Sequence, residues 1–401
     1  MERQKRGPAH RLDNVKFSPV RRVLNLANEL QSQGRDIVHF EIGEPDFDTP
    51  DLIVSNSVTA LRDERKTHYA SNLGDIGLRN KIAELLKKRN GVEADPAKNI
   101  IVTVGAAEAV FAGIMAVVNE GDEVIILTPA FMFYENTIKM AGAEVVEVPL
   151  KPENGYQIQI SELKEKITDR TRMIVLNNPH NPSGVVFRPE DLMEIGKLAV
   201  ENDIMILSDE IYDQIVYDGR SCLSLASVPE FREHVITING FSKAYAMTGW
   251  RLGYIVADEK WIQAILKVHQ YTTTCVPTFI QIGTARSMLE ESCLQQVENM
   301  RATFEKRRNL LYEKLDAIEG IRYVPSQGAF YTLIDISKFG LSDGEFAERL
   351  IREKGVAVVP ASGFSENFKG HIRISYATSE SQISDGLEKL KEFCDELRGE
   401  K

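Results

Sequence analysis

A lysine whose ammonium is held away from water becomes both a nucleophile and a base. The segment Asn239-Gly-Phe-Ser-Lys-Ala-Tyr-Ala-Met-Thr-Gly-Trp-Arg-Leu-Gly253 sets Lys243 among small and hydroxylated neighbours, with Arg251 eight residues further on. An apolar run, Val235–Ile238, leads into it and another, Leu252–Val256, leaves it. These runs predict two core strands, with Lys243 on the loop between them and partly dehydrated. Dehydration lowers the pKa of the amine, as attack on an aldehyde requires. Arg251 offers a planar fork of donors suited to a phosphate, which a lysine could not reproduce. Taken alone, a lysine in a Gly/Ser-rich loop reads as a surface residue.

Other segments change that balance. Asp209, in Leu207-Ser-Asp-Glu-Ile-Tyr212, closes an apolar run, which puts its carboxylate at the mouth of a sheet. By itself it reads as a helix N-cap. Asn177-Asn-Pro-His-Asn-Pro-Ser-Gly184 is a stiff turn-rich loop after another such run. Gly105-Ala-Ala107 stands where a strand gives way to a helix, a place where free N–H groups favour an anion. Gly43-Glu-Pro-Asp-Phe-Asp-Thr-Pro50 is a loop whose glycine permits close approach of a ligand. Tyr69-Ala-Ser-Asn-Leu-Gly-Asp-Ile-Gly-Leu-Arg79 precedes an amphipathic helix, and Arg373 lies in the short apolar strand His371–Ser375. A charge in such a strand needs a partner, for which an interdomain ion pair is the plain explanation.

In this order the segments resemble those of the pyridoxal-phosphate aminotransferases of classes I and II, from about Ile42 to Ser375. Ser-Lys-x-x-x-x-x-Gly-x-Arg, Asn-Pro-x-Asn-Pro-[Ser/Thr]-Gly and Tyr-x-x-x-x-Gly-x-x-x-Leu-Arg carry the likeness. The resemblance implies fold type I, with pyridoxal 5′-phosphate bound to Lys243. It implies that Asp209 keeps the pyridine nitrogen charged, so that the ring accepts electrons. Tyr212 and Asn181 would contact the cofactor's ring oxygen, and Phe131 its face, with Phe133 as the alternative register. The phosphate would sit on Gly105, Ala106 and Ala107, helped by Ser242, Arg251 and a neighbouring subunit's copy of Tyr69. Substrate contacts would come from Gly43, Phe131, Asn181 and Arg373, the last gripping the α-carboxylate. A homodimer with a shared site follows from the role of Tyr69.

The elements that must position these residues alternate. Apolar strands at Ile100–Val104, Glu123–Leu127, Glu144–Val148, Met173–Leu176 and Ile204–Ser208, separated by helices, precede the two strands around Lys243. This pattern predicts an α/β domain with a mostly parallel sheet covered by helices on both faces. Residues 259–315 read as helical with an interruption at Thr272–Pro277. A smaller α+β domain follows, with strands at Tyr323–Val324, Ala329–Ile334, Val356–Val359 and His371–Ser375 and helices at Asp343–Lys354 and Ser379–Leu397. Ser18-Pro19 opens a helix that Gly34 stops, and Ile37–Ile42 reads as a strand. The expected division is an N-terminal arm and helix over residues 1–44, a large domain over 45–285 and a small domain over 286–401.

Composition narrows the function class. Among 401 residues the net charge of −11 speaks against a nucleic-acid or anionic-membrane partner. No apolar run approaches the ~20 residues of a membrane span, and the basic start Glu2–Arg11 lacks the apolar core of a secretory signal. Four cysteines without a Cys-x-x-Cys pair, and seven histidines without a His-x-x-x-His pair, predict neither a disulfide framework nor a metal site. The expected location is the cytoplasm. The expected reaction is ping-pong transfer of an amino group from an L-amino acid to a 2-oxo acid, with 2-oxoglutarate as one partner and aspartate, alanine or an aromatic amino acid as donor. A carbon–sulfur lyase of the same fold would use the same cofactor residues without an acceptor. A ligand-sensing protein is the third reading, and the stretch before Gly43 lacks the helix-turn-helix it would need. Arg21, Arg22 and His39 are candidate cations for a second substrate carboxylate, and spacing selects none of them.

Overall fold

Strands that are apolar along their whole length need cover on both faces, and the helices between them supply it. The computed structural model describes residues 7–399, so Glu2–Arg6 of the basic start lies outside the described residues. In chain order the strands are β1 (Val38–His39), β2 (Ile100–Thr103), β3 (Glu123–Thr128), β4 (Glu144–Pro149), β5 (Thr171–Asn177), β6 (Met205–Asp209), β7 (Val235–Gly240) and β8 (Gly253–Val256). After a helical stretch come β9 (Arg322–Tyr323), β10 (Tyr331–Asp335), β11 (Val356–Ala357), β12 (Val359–Pro360) and β13 (His371–Ser375).

Seven of them form one mixed sheet in the order β2, β8, β7, β6, β5, β3, β4. Only β8 runs against its neighbours β2 and β7. Side chains alternate across the sheet, which gives two apolar layers. Ile174 and Leu176 of β5 join Ile82, Leu192 and Ile195 of helices on one face. Met173 and Val175 join Ala109, Ala112, Ile262 and Ile265 on the other. A second, antiparallel sheet runs β12, β13, β10, β9. The helices Glu291–Leu315, Asp343–Lys354 and Glu380–Gly399 pack on it through Leu311, Leu350 and Leu387, all buried. Each such leucine contributes about 1.5–3 kcal/mol. The expected α/β architecture is thus present, with the smaller sheet as its second part.

Several boundaries differ from the expectation. Val356–Val359 is two strands, because β11 pairs with β1 and β12 with β13. A fully buried apolar run carries no period that would mark the change of partner. Of Ile37–Ile42, only Val38–His39 pairs. The helical stretch breaks twice, around 273–277 and again around 288–290. The helix Asp51–Arg62 was unforeseen, since Val54, Val58 and Leu61 are exposed while Ile53 and Ala60 are buried, which blurs its apolar stripe.

Candidate active site

In a parallel sheet, ligands gather beyond the carboxyl ends of the strands. Asn177 ends β5 and Asp209 ends β6, side by side in register, and Asp209 pairs with Ile238 of β7. Lys243 follows the end of β7 by three residues. A cavity of about 470 Å³ opens there, bounded by both sheets and the N-terminal helix Pro19–Ser32. Lys243, Asp209, Tyr212, Asn181, Ser242, Arg251, Gly43, Ala106, Ala107, Phe131 and Arg373 all line it. Gly105 and Tyr69 do not line it. Gly105 lies directly behind Arg251, whereas Tyr69 is 88% exposed and lines a different cavity, with His68 and Phe279.

The Lys243 Nζ donates to the Gly43 carbonyl at 2.5 Å and lies 5.7 Å from the centre of the Phe330 ring. Burial lowers its pKa to about 8, partly offset by Glu44, while Arg373 and Arg251 push it further down. A useful fraction of neutral amine therefore exists near neutral pH. Gly43 is constrained from the other side too, because a Cβ there would stand 2.6 Å from the Tyr331 hydroxyl.

Asp209 is buried at the foot of the cavity. Its Oδ2 accepts from the Tyr134 hydroxyl at 2.6 Å, and its Oδ1 from the Ile211 N–H at 3.1 Å. Burial raises its pKa to about 6, and the Tyr134 bond works against that rise. No helix follows Asp209, so the N-cap explanation does not hold, and Tyr212 sits in a turn rather than at the expected helix start. The Tyr212 and Tyr331 hydroxyls are 3.0 Å apart.

Arg373 projects from β13, opposite Leu333 of β10. It is buried, donates through Nη2 to the Glu41 carbonyl at 2.8 Å, and lies 4.4 Å from the Tyr331 ring centre. Its Nε has no partner, and no carboxylate pairs with the guanidinium among the described residues. The plain interdomain ion pair is therefore absent. A buried guanidinium with spare donors is chemically prepared for an incoming carboxylate.

At the opposite end, the helix Gly105–Val117 points its first turn at the cavity through Ala106 and Ala107. Gly105 has φ +75°, and a Cβ on it would stand 2.6 Å from Arg251 Nη2. Absent that carbon, backbone N–H groups and a guanidinium meet at one spot, a fit for a phosphate. An amine of lowered pKa, a buried carboxylate and an anion cradle along one cavity fit the donor set that pyridoxal phosphate requires. Phe131 and Phe133 both line the cavity, with nearly parallel rings 6.3 Å apart.

The sequence reading missed three contributions. Tyr134 as partner of Asp209, Tyr331 as a strut between Gly43, Tyr212 and Arg373, and the Glu41 carbonyl all depend on long-range packing, for which no local pattern exists. Asn177, part of a loop by sequence, ends β5, and its Oδ1 accepts from the Asn181 N–H at 2.8 Å and fixes that turn.

Comparison with known proteins identifies the family of the whole chain. The sequence pattern of the family described as aminotransferase class I and II matches residues 35–390. An aromatic-amino-acid aminotransferase of Thermococcus litoralis is 40% identical, covering 97% of this chain and 98% of the relative. An aspartate aminotransferase of Pyrococcus abyssi is 41% identical over the same shares. The solved structure of the Thermus thermophilus aspartate aminotransferase with maleate superposes with a TM-score of 0.92 at 39% identity, covering 97% of this chain and all of that one.

Proposed function

We infer the roles of these residues from one premise: the chain belongs to the aminotransferase class I and II family, whose enzymes work with pyridoxal 5′-phosphate. It is a transaminase. When bound, that cofactor supplies an aldehyde and a ring that stores an electron pair. The observation that carries the residue assignments is the convergence of Lys243, Asp209 and Arg373 on one cavity.

Lys243 would hold the cofactor through its amine, and that amine would be the base for the substrate Cα proton. Asp209 supplies the negative charge against the ring nitrogen, and Tyr134 holds that carboxylate in place. Tyr212 and Asn181 contact the ring oxygen, and Phe131 the ring face. Ser242, Arg251 and the turn Gly105–Ala107 bind the phosphate. Arg373 binds the α-carboxylate bidentately and so orients the Cα–H bond toward Lys243. Gly43 closes over the substrate.

The donor is aspartate, alanine or an aromatic amino acid and 2-oxoglutarate an acceptor; the names of the relatives support the aspartate and aromatic donors. A homodimer completes the site, with each Tyr69 reaching its neighbour's phosphate, and the exposure of Tyr69 supports that reading. The domain division at residues 1–44, 45–285 and 286–401 is supported by the β1–β11 pair, which ties the N-terminal segment to the smaller part. No helix among the described residues is long and apolar enough to cross a membrane. A cytoplasmic location is supported by four unpaired cysteines. A panel of amino donors with 2-oxoglutarate, run with wild type and Lys243→Ala, tests the assignment. Wild type should form glutamate only when an acceptor is present, and Lys243→Ala should lose both turnover and the absorbance of the bound cofactor. Pyruvate and ammonia released without acceptor would point to the lyase instead.

A further inference from the structure

A dicarboxylic substrate held by Arg373 at one end needs a second cation for the other. Four cationic side chains line the cavity, Arg21, Lys243, Arg251 and Arg373. Three are engaged by backbone carbonyls: Lys243 by Gly43, Arg251 by Thr248 and Arg373 by Glu41. The guanidinium of Arg21 makes no hydrogen bond or ion pair among the described residues.

The other candidates are excluded by placement. Arg22, one residue on, faces a separate cavity of about 580 Å³ on the far side of the same helix. His39 is bonded to the Glu41 carboxylate at 2.8 Å. The turn at Ala106 and Ala107 offers no charge. Val20, Arg21 and Leu24 share the helix face toward the active-site cavity, so Arg21 stands on an apolar wall opposite the cofactor residues. Three carboxylates share the lining, and none neutralises Arg21: Asp209 accepts from the Tyr134 hydroxyl at 2.6 Å, Glu44 from the Thr248 hydroxyl at 2.9 Å, and Glu41 is turned to His39.

We propose that Arg21, on the N-terminal helix, is the receptor for the distal carboxylate of a dicarboxylic amino or oxo acid. The proposal rests on the reading in which Arg373 holds the α-carboxylate, and it deepens that reading by naming the substrate class. The apolar wall around Arg21 is compatible with apolar side chains as well, so the arginine sets a preference between substrate types. No bond is made or broken at Arg21; its contribution is an ion pair formed on binding.

The test uses the holoenzyme as wild type, Arg21→Gln and Arg21→Lys, titrated calorimetrically with succinate and with butyrate. The readout is the ratio of the two affinities, which cancels general damage to the pocket. In Arg21→Gln the preference for succinate should fall about tenfold or more, as loss of a charge-assisted pair implies, and Arg21→Lys should restore part of it. An unchanged ratio in Arg21→Gln overturns the proposal, as does an equal loss of both ligands. A separate half-reaction of wild type with glutamate, read by cofactor absorbance, judges the transaminase reading without reference to Arg21.

Discussion

Tyr134 donates its hydroxyl to Asp209 Oδ2 at 2.6 Å, joining residues 75 apart in the chain at the foot of the cavity. The bond holds the Asp209 pKa down against the rise that burial imposes. In Tyr134→Phe the carboxyl should titrate above about 6, and the lost bond to a charged group is worth about 1.5–3 kcal/mol. We expect kcat at pH 7 to fall about ten- to hundredfold, with the deficit shrinking toward pH 9 as the carboxyl ionises. A kcat–pH profile for the variant checks this, and a deficit independent of pH would contradict it.

Asp209 also bears on stability. Its pKa in the folded apoprotein is about 6, against an ordinary 3.8. The folded chain thus binds this proton more tightly than the unfolded one. The site favours folding fully below pH 3.8, and that advantage is lost as pH rises through about 6, by roughly 3 kcal/mol in all. Asn cannot ionise, so Asp209→Asn apoprotein should melt above wild-type apoprotein at pH 7.5, with the gap closing near pH 4. The same variant should lose transamination. Thermal unfolding at the two pH values decides the matter.

In its proposed role the Lys243 amine, at about 8, must be neutral to capture the cofactor. Each pH unit below 8 leaves roughly tenfold less free amine. Uptake of pyridoxal phosphate by the apoprotein, followed by absorbance after rapid mixing, should accelerate from pH 6 to about 8 and then level off. A rate that kept climbing about tenfold per unit from pH 8 to pH 10 would rule out the lowered pKa.

Arg373 donates to the Glu41 carbonyl and, at 3.4 Å, to Asn181 Oδ1, and lies against the Tyr331 and Phe364 rings, while its Nε has no partner. Arg373→Lys keeps the charge and loses the fork. KM for amino and oxo acids should both rise about a hundredfold, with a smaller effect on kcat, on the scale of a lost bidentate pair. Steady-state kinetics with several donors would show whether the loss is common to all of them, as an α-carboxylate contact demands.

Gly105→Ala places a methyl 2.6 Å from Arg251 Nη2 at a backbone angle of φ +75°. Left-handed backbone costs a non-glycine residue about 1–2 kcal/mol, and Arg251 must move. The dissociation constant for pyridoxal phosphate should rise about tenfold or more, which equilibrium dialysis can measure, while the apoprotein remains folded by circular dichroism.

Local sequence is legible where chemistry and backbone coincide. Asp209 ends a strand and Lys243, Asn181 and Gly105 each follow one, and strand ends are marked by apolar runs that stop at turn residues. The seven-stranded sheet was legible for the same reason, since continuous apolar runs separated by helices leave few alternatives. What escaped detection was partnership across distance. Tyr331 sits in a strand whose alternation says only that it is buried, not that its hydroxyl meets Tyr212 and blocks any side chain at residue 43. Likewise, Arg21 and Arg22 are indistinguishable as letters, and only the rotation of their helix assigns them to different cavities.

Tyr331 and Arg373 leave adjacent strands, the one bracing the backbone that receives Lys243, the other proposed to grip what enters. Sliding that strand pair to accommodate a longer or shorter molecule would drag the lysine's acceptor along with it. Changes of diet in this lineage, or by an engineer's hand, are therefore easiest to write on the wall formed by Val20, Arg21 and Leu24, which can be redrawn while the anchorage opposite stays put.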